Sequence, residues 1–273
     1  MSTSSGGARS VLEGSVWEAE WREWHAARER YATDPGGPAS LAGTYWLLAG
    51  AGGELPGVAG VWAATGDAER PVRGTGLTGS GYRTGDGGPV GERIDLAAGE
   101  ELFDGDRRFS VFARDDSYAL RVFDPETAAG KRITGIDAFA PDPALRVTAV
   151  RETSGETETV TLVDGFQKDE VIDARFVFEL DGEVLRLKAR WNGSSYSVVF
   201  GDSTNGDLSY RFRFLRIEQP AEGDPWTIDF NRAFLPPCAF SDHFVCPLPP
   251  EGNRLPVAIR AGEQRLAVAG SAA

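Results

Sequence analysis

Short alternating runs joined by turn residues dominate this sequence, and they constrain its fold more than any other feature. In one of them Phe176, Phe178 and Leu180 alternate with other residues, and Asp181-Gly182 separates this run from the next. Asp-Gly suits the positive backbone angles of a two-residue type I′ turn, so the two runs predict a β-hairpin. Asp115-Asp116, between two further runs, is a weaker signal of the same kind.

Hairpin follows hairpin along the chain, without the alternation of strands and helices that parallel sheets require. The 34 glycines and 16 prolines also suit a fold with many turns and argue against a helical bundle. We therefore predict a mainly β fold, an antiparallel barrel or sandwich with one N-terminal α-helix. The glycine-rich region 51–99 is less regular, which predicts either extra hairpins or a long flexible loop.

The one predicted helix lies near the N-terminus, from about Ser15 to Ala32, where large residues recur with helical spacing. The face that they form consists of Trp17, Trp21, Trp24, Arg28 and Tyr31. A ligand platform is one interpretation of this face, but packing against a sheet is favoured. The predicted organisation is a disordered tail over 1–10, a helix packed on the sheet over 11–40 and a single β-rich domain over 41–273.

The net charge of −13 limits the classes of partner. An acidic surface repels phosphate groups, so neither nucleic acid nor an anionic membrane surface is expected to bind.

The sequence has no run of about 18 apolar residues, which a membrane span would need, and its polar start lacks the apolar core of a signal peptide. A cytoplasmic protein is predicted. Of 28 basic residues, only Lys131, Lys168 and Lys188 are lysines, which indicates a GC-rich, actinobacterial genome.

Residues that bind metals or act as nucleophiles are scarce, with two histidines and two cysteines in the chain. Cys238, His243 and Cys246 lie close together and allow three interpretations: a disulfide, a metal site with a carboxylate such as Asp242, or two buried thiols. Zinc motifs have a shorter spacing between cysteines, and a reducing cytoplasm disfavours a disulfide. Free thiols or a non-essential disulfide are therefore favoured over metal. No cofactor is predicted, although flavin and haem stay open because barrels bind both without short motifs.

The segment from 226 to 264 is the most informative, because polar and aromatic residues alternate there along a chain stiffened by prolines. The candidate catalytic residues are Asp229, Asn231, Arg232, Glu263 and, upstream of the segment, Asp202. The candidate ligand-binding residues are Arg254, Asn253, Tyr210 and Trp226. In the alternative interpretation, Asp229 and Asn231 cap turns, and Arg232 or Arg254 pairs with a carboxylate to hold the segment in place.

The same segment resembles the bacterial and archaeal family catalogued as domain of unknown function 1684. The family pattern DFN-[KR]-A-[YF]-x-P-x-C-A-[YF] corresponds to Asp229 to Phe240, and C-P-x-P-P corresponds to Cys246 to Pro250. A closing A-G-E corresponds to Ala261 to Glu263, and a further block runs from Phe200 to Tyr210. The resemblance covers roughly Leu41 to Gln264, and it implies no activity.

Two departures from the family pattern bear on function. The Glu that precedes Asn253 in the family is Gly252 here, with Glu251 one place earlier. If that Glu is catalytic in the family, this protein could use the same chemistry only if a shift of the backbone brought Glu251 to the position of the missing side chain. His243 occupies a variable position of the pattern, which weakens a mechanism based on histidine. The paired cysteines are part of the pattern, which favours a disulfide in exported relatives but not in a cytoplasmic protein.

Three hypotheses of function remain. The first is a small-molecule pocket inside the barrel or at its mouth, where buried carboxylates and arginines could carry out a cofactor-independent reaction. The second is a non-catalytic structural or interaction module whose C-terminal motif locks the fold. The third is a metalloprotein that uses Cys238, His243 and Cys246. The first is slightly favoured, and the sequence leaves open whether the chain is an enzyme and which oligomeric state it adopts.

Overall fold

The computed structural model describes residues 5–50 and 52–270, and side chains from residue 16 onward within them. Two α-helices and seventeen strands are present in this part of the chain. They are α1 (Ser5–Thr33), β1 (Leu41–Trp46), β2 (Gly53–Leu55), β3 (Val58–Ala64), β4 (Val72–Thr75), β5 (Arg83–Thr84), β6 (Arg93–Leu96), β7 (Glu101–Asp104), β8 (Arg107–Arg114), β9 (Ser117–Phe123), α2 (Pro125–Lys131), β10 (Ile133–Ala138), β11 (Arg146–Thr161), β12 (Gln167–Leu180), β13 (Glu183–Trp191), β14 (Ser195–Phe200), β15 (Arg213–Glu218), β16 (Trp226–Asp229) and β17 (Glu263–Val268). The prediction of a mainly β, antiparallel fold with an N-terminal helix is confirmed.

The chain divides into two compact units. The barrel unit combines residues up to Ala32 with those from Thr134 onward, and the inserted unit runs from Thr33 to Ile133. The sequence did not mark this boundary, and the single β-rich domain over 41–273 stays a prediction. Of the predicted tail over 1–10, residues 1–4 lie outside the described residues, and α1 already begins at Ser5, ahead of the predicted start at Ser15.

Six antiparallel strands form the barrel, in the order β15-β14-β13-β12-β11-β16. The sheet curls until β15 and β16 are neighbours, so the barrel is nearly closed. Between β12 and β13 the turn residues Asp181 and Gly182 both have positive φ, 53° and 78°, which is the type I′ hairpin that Asp-Gly predicts. Local chemistry therefore set this register, with Leu180 opposite Glu183.

The interior of the barrel is filled by side chains. Alternate residues of its strands point inward and form one apolar cluster, whose fully buried members include Phe176, Leu187, Phe200, Ile228 and Phe230. A six-stranded barrel is narrow enough for its own side chains to fill much of it. The described residues of this cluster lie in the interior, and the pocket inside the barrel or at its mouth stays a prediction.

The inserted unit consists of two antiparallel sheets around their own apolar cluster. Their strand orders are β1-β9-β8-β7-β5 and β2-β3-β4-β6. Trp62 of β3 and Phe109 of β8 both pack edge-on against Tyr82, which ties the two sheets together. The predicted turn at Asp115-Asp116 joins β8 to β9, and strands β2–β6 lie in the region 51–99, for which extra hairpins were one prediction.

The helix α1 packs on the barrel unit through the face that the sequence predicted. Trp17 and Trp21 are buried, and their indole N–H groups donate to Asp229 and to the carbonyl oxygen of Asn231, at 3.0 and 2.9 Å. Packing on the sheet thus accounts for these two tryptophans. Neither helix, over the residues described, is long and apolar enough to span a membrane.

Candidate functional site

A groove of about 250 Å³ lies between α1 and the outer face of β15 in the barrel unit. Its lining consists of Trp24, Arg28, Arg216, Glu218, Arg232 and Phe234, and we call it the arginine groove. Along β15, Leu215 and Ile217 are buried in the barrel, whereas Arg216 and Glu218 between and beyond them are exposed. The alternation of a strand therefore directs the charged pair away from the barrel core and into the groove.

Arg28 reaches the groove from α1 because a buried carboxylate holds it there. Its Nε and one terminal nitrogen donate to the two oxygens of Glu263, at 2.6 and 3.0 Å. The Glu263 side chain has no exposed surface, and it also accepts from the backbone N–H of Leu235 at 2.7 Å. This two-pronged pair fixes the plane of the guanidinium as well as its position.

Phe234 brings two guanidinium groups to one place. The Cζ atoms of Arg28 and Arg216 lie 5.0 and 5.9 Å from the centre of the Phe234 ring. Within the part of the chain that the structure describes, Arg216 has no carboxylate at ion-pair distance. The groove thus has one arginine whose charge is neutralised by Glu263 and one whose charge is not, both positioned by the same aromatic ring.

Arg232 is the third arginine of the groove and is partly buried. Its nearest carboxylates are loose partners, with Glu20 at 3.7 Å and Asp229 at 3.9 Å. Its Nε is buried and has no hydrogen-bond partner among the described residues. A buried donor of this kind costs free energy unless something accepts from it, so it marks a place where a ligand oxygen would be stabilised.

Asp229 and Asn231, which the sequence put forward as catalytic candidates, are occupied by contacts within the protein. Besides Trp17, Asp229 accepts from the backbone and side-chain N–H groups of Asn231, at 3.1 and 2.9 Å, and pairs with Arg146 at 3.3 Å. Asn231 is fully buried and exchanges two hydrogen bonds with the backbone of Asp142, at 2.8 and 2.9 Å. Both residues therefore support the turn that presents Arg232.

Asp202 forms a second buried pair, with Arg213. One Asp202 oxygen accepts from Arg213 at 2.7 Å, and neither side chain has exposed surface. The guanidinium also donates to the carbonyl oxygens of Ile259 and Ala261, which ties the C-terminal segment to β15. Burial lowers the pKa of Arg213, and the carboxylate of Asp202 opposes that shift. Asp202, like Glu263, is thus an ion-pair partner that lacks a free oxygen for acid or base chemistry.

The four candidate ligand-binding residues have separate surroundings. Asn253 is buried and bridges β13 and β14 through Lys188 and Val199. Tyr210 donates to the carbonyl oxygen of Cys238 at 3.1 Å, and Trp226 packs edge-on against Phe176. Arg254, with Arg211, borders a shallower groove of about 440 Å³ that is open to solvent. The structure brings none of these four into the arginine groove.

The cysteines are free thiols and both are buried. No three His, Cys, Asp or Glu side chains of residues 16–50 and 52–270 are grouped so as to hold a metal ion, so the set of Cys238, His243 and Cys246 gains no support as a metal site. Gly252 has a φ of +87°, a conformation that a glutamate adopts only with strain. Glu251 is exposed and lines neither groove.

The arrangement is suited to binding an anion. Three guanidinium groups and one carboxylate, that of Glu218, face a groove with two aromatic walls. Of these lining residues, sequence reasoning proposed only Arg232 as a site residue and assigned Trp24 and Arg28 to a packing face. An available signal was Arg28 itself, since an arginine on an apolar helix face needs a buried carboxylate partner. The sequence around Arg216 and Phe234 did not indicate a binding site, because the residues that contact them in the structure come from distant parts of the sequence.

Comparisons with known proteins concern mainly the barrel unit. A family model described as "Protein of unknown function (DUF1684)" matches residues 131–264, a shorter stretch than the resemblance from Leu41 had suggested. A search of curated proteins gives no match. Among solved structures, the solution NMR structure of an uncharacterized protein of Haloarcula marismortui is 37% identical, over 48% of this chain and 76% of that chain, with a TM-score of 0.40. Through residues 131–264 the chain resembles the DUF1684 family.

Proposed function

We propose that the protein binds a small organic anion, a carboxylate with a planar apolar group, in the arginine groove. The observation that carries this proposal is the pair of guanidinium groups, Arg28 and Arg216, on the single ring of Phe234. Arg28 is already paired with Glu263, whereas Arg216 has no carboxylate partner among the described residues. An oxyanion in the groove would pair with Arg216 and offset the one guanidinium charge at this ring that is not neutralised.

The size and the walls of the groove narrow the class of ligand. At about 250 Å³ the groove is smaller than the sites of drug-sized ligands, which begin at about 300 Å³. Trp24 and Phe234 offer apolar, planar surfaces beside the charges. A carboxylate group matches the fork of a guanidinium, and a flat apolar body matches the aromatic walls.

Binding is better supported than catalysis. The buried carboxylates Asp202 and Glu263 each form an ion pair with an arginine. Asp229 accepts hydrogen bonds from Trp17 and Asn231. Proton transfer needs a carboxylate that can change its protonation state next to the substrate. The one carboxylate in the lining, Glu218, is exposed. We therefore place the protein among binding proteins and leave cofactor-independent catalysis as the alternative.

A titration of the full chain with benzoate, followed by calorimetry at low ionic strength, tests the proposal. Benzoate carries the carboxylate and the planar group, and benzamide has the same shape without the charge. We expect saturable binding of benzoate, and at least about tenfold weaker binding of benzamide, because a hydrogen bond to a charged group contributes about 1.5–3 kcal/mol.

Two variants separate the groove from the rest of the surface. Arg216→Ala removes the unpaired guanidinium, and Arg186→Ala makes the same change at an exposed position of β13. We expect Arg216→Ala to weaken benzoate binding about tenfold and Arg186→Ala to leave it unchanged. Equal affinity of the Arg216→Ala variant and the original chain, or no saturable binding to either, would overturn the proposal.

A structural role of the C-terminal motif is the second candidate, and one observation favours it. Asp229, Asn231 and Glu263 of the motif all bind α1, through Trp17, Trp21 and Arg28. We infer that the motif holds the N-terminal helix on the barrel unit. This role and anion binding are compatible, because the same contacts place Arg28 and Trp24 in the groove. The cytoplasmic location, the actinobacterial origin and the absence of nucleic-acid and membrane partners stay predictions.

A further inference from the structure

Cys238 and Cys246 form a pair that the anion site does not use. Cys238 lies in a short 3-10 turn, Pro237–Ala239, and its backbone N–H donates to the sulfur of Cys246 at 3.3 Å. The carbonyl oxygen of Cys246 accepts from Val163, which anchors that cysteine beside the end of β11. Both thiols are therefore held next to each other by backbone contacts on either side.

The surroundings of the pair are apolar, with a polar edge. Val199 and Phe212 pack against both cysteines, and the hydroxyl of Tyr210 lies 3.9 Å from the sulfur of Cys238. Arg211 extends from the next position and borders the open groove of about 440 Å³. Arg211, which borders this groove, also interacts with the side chain of Cys238 and so links the groove to the pair.

We propose that Cys238 and Cys246 are a reversible thiol–disulfide pair, in which a hydroperoxide oxidises Cys238 and Cys246 converts the product to a disulfide. The proposal concerns modification of the protein and does not depend on the anion site. It rests on the adjacency of two thiols that are free in the structure and whose backbones are already fixed.

The chemistry balances in two steps. The thiolate of Cys238 attacks the terminal oxygen of the hydroperoxide, an S–O bond forms as the O–O bond breaks, and the departing hydroxide or alkoxide takes up a proton to become water or an alcohol. Sulfur is oxidised to a sulfenic acid and the peroxide is reduced. Cys246 then attacks the sulfur of the sulfenic acid, the S–O bond breaks, and the departing hydroxide combines with the thiol proton as water. A small thiol reductant restores both cysteines.

The electrostatics assign the first step to Cys238. The hydrogen bond with Cys246 holds the pKa of the Cys238 thiol at about 7, below its usual value, and Tyr210 and Arg211 act in the same direction against burial. Tyr31 of α1 is a further titratable group beside the pair, near Cys246. Because the thiolate is the attacking species, the rate of oxidation should rise with pH between 6 and 8.

The test exposes the reduced full chain to hydrogen peroxide at pH 7, then denatures it in N-ethylmaleimide and measures the intact mass. We expect the untreated chain to take up two maleimide groups, and the treated chain to take up none and to be lighter by two hydrogens. Dithiothreitol should restore both additions. A treated chain that still takes up two maleimide groups, at a peroxide dose that oxidises glutathione, would overturn the proposal, as would a disulfide-linked dimer.

Two variants assign the roles of the cysteines within the same experiment. In Cys246→Ser the sulfenic acid on Cys238 persists and should be trapped by dimedone. In Cys238→Ser the remaining Cys246 should keep its maleimide addition at the same peroxide dose. Dimedone on Cys246 and none on Cys238 would overturn the assignment. Because the mass of the unsubstituted chain is the primary measurement, the test stands even if a variant fails to fold.

Discussion

Arg28 and Glu263 form a two-pronged ion pair across 235 positions of the sequence, and the carboxylate has no exposed surface. The pair joins the N-terminal helix to the first residue of β17. An uncompensated buried charge is far more costly than an exposed one, so this pair adds a strong contact to the two tryptophan hydrogen bonds that hold α1 on the barrel.

We expect Arg28→Ala to lower the free energy of unfolding by about 3–5 kcal/mol, because Glu263 would stay buried without a partner. Urea denaturation followed by tryptophan fluorescence measures this change. The matched control is Arg22→Ala, which breaks an exposed pair with Glu18 on the same helix and should cost less than about 0.5 kcal/mol. Similar losses in the two variants would contradict the role of the buried pair.

The glycine before Glu263 is required by the backbone around it. Gly262 has a φ of +75°, and a Cβ atom there would lie 2.5 Å from the carbonyl oxygen of Ala233 and 2.9 Å from that of Phe230. Gly262→Ala should therefore cost about 2–5 kcal/mol, from the left-handed backbone and the overpacking together. Gly165→Ala has a similar φ of +84° with no atom near the added carbon, and should cost about 1–2 kcal/mol. Equal losses would show that crowding plays no part.

The inserted unit has a pH-dependent contact of its own. Asp95 of β6 accepts from Arg73 at 2.7 Å and from Arg93 at 2.5 Å, and these two arginines hold its pKa well below the usual value. The ionised Asp95 carboxylate therefore stabilises the folded inserted unit above about pH 4. This stabilisation is lost as the pH falls toward the lowered pKa of Asp95.

Asp95→Asn should reduce the stability of the inserted unit by up to about 1 kcal/mol at pH 7, and the difference from the original chain should narrow below about pH 4. Hydrogen exchange of the β4 and β6 amides at pH 7, 4 and 3, corrected for intrinsic rates, follows this difference. Asp106→Asn, at an exposed turn position, is the control for the change in net charge. A difference that stays constant with pH would contradict the assignment.

Anion binding in the arginine groove should weaken with ionic strength. Arg216 is exposed, so salt screens its attraction for a carboxylate. We expect the Kd for benzoate to rise several-fold between about 0.01 and 0.15 M NaCl, over which the screening length falls from about 30 to 8 Å. Calorimetry at the two NaCl concentrations measures this Kd. A further titration in sodium sulfate at matched ionic strength checks whether the salt anion competes with benzoate for the groove. A Kd that is independent of salt would show that the ligand avoids the guanidinium groups.

The sequence predicted those parts of the fold that depend on residues close together in the chain. The turn at Asp181 and Gly182 follows from the backbone preferences of those two residues, and the helix follows from the spacing of its tryptophans. The ion pair of Arg28 with Glu263 has no local signature, because each residue is ordinary in its own neighbourhood. The division into two units likewise depends on which distant segments meet.

The candidate site was predicted in part for the same reason. Proline and polar patterning singled out the segment around Asp229 and Asn231, and in the structure these residues support Arg232 and α1. Arg216 lies on β15, and the alternation of a strand shows which residues share a face. What covers that face is decided by α1, almost two hundred residues earlier in the chain.

The contacts of α1 also bear on the order in which the protein can fold during synthesis. Trp17, Trp21 and Arg28 leave the ribosome early, yet their partners Asp229, Asn231 and Glu263 are more than two hundred residues later. At a translation rate of about 5–20 residues per second, the helix waits on the order of 10–50 s for its docking surface. The inserted unit is completed within that interval. A nascent chain that is cut short before β16 therefore carries an undocked tryptophan face, which makes it a natural client for chaperones that bind apolar segments.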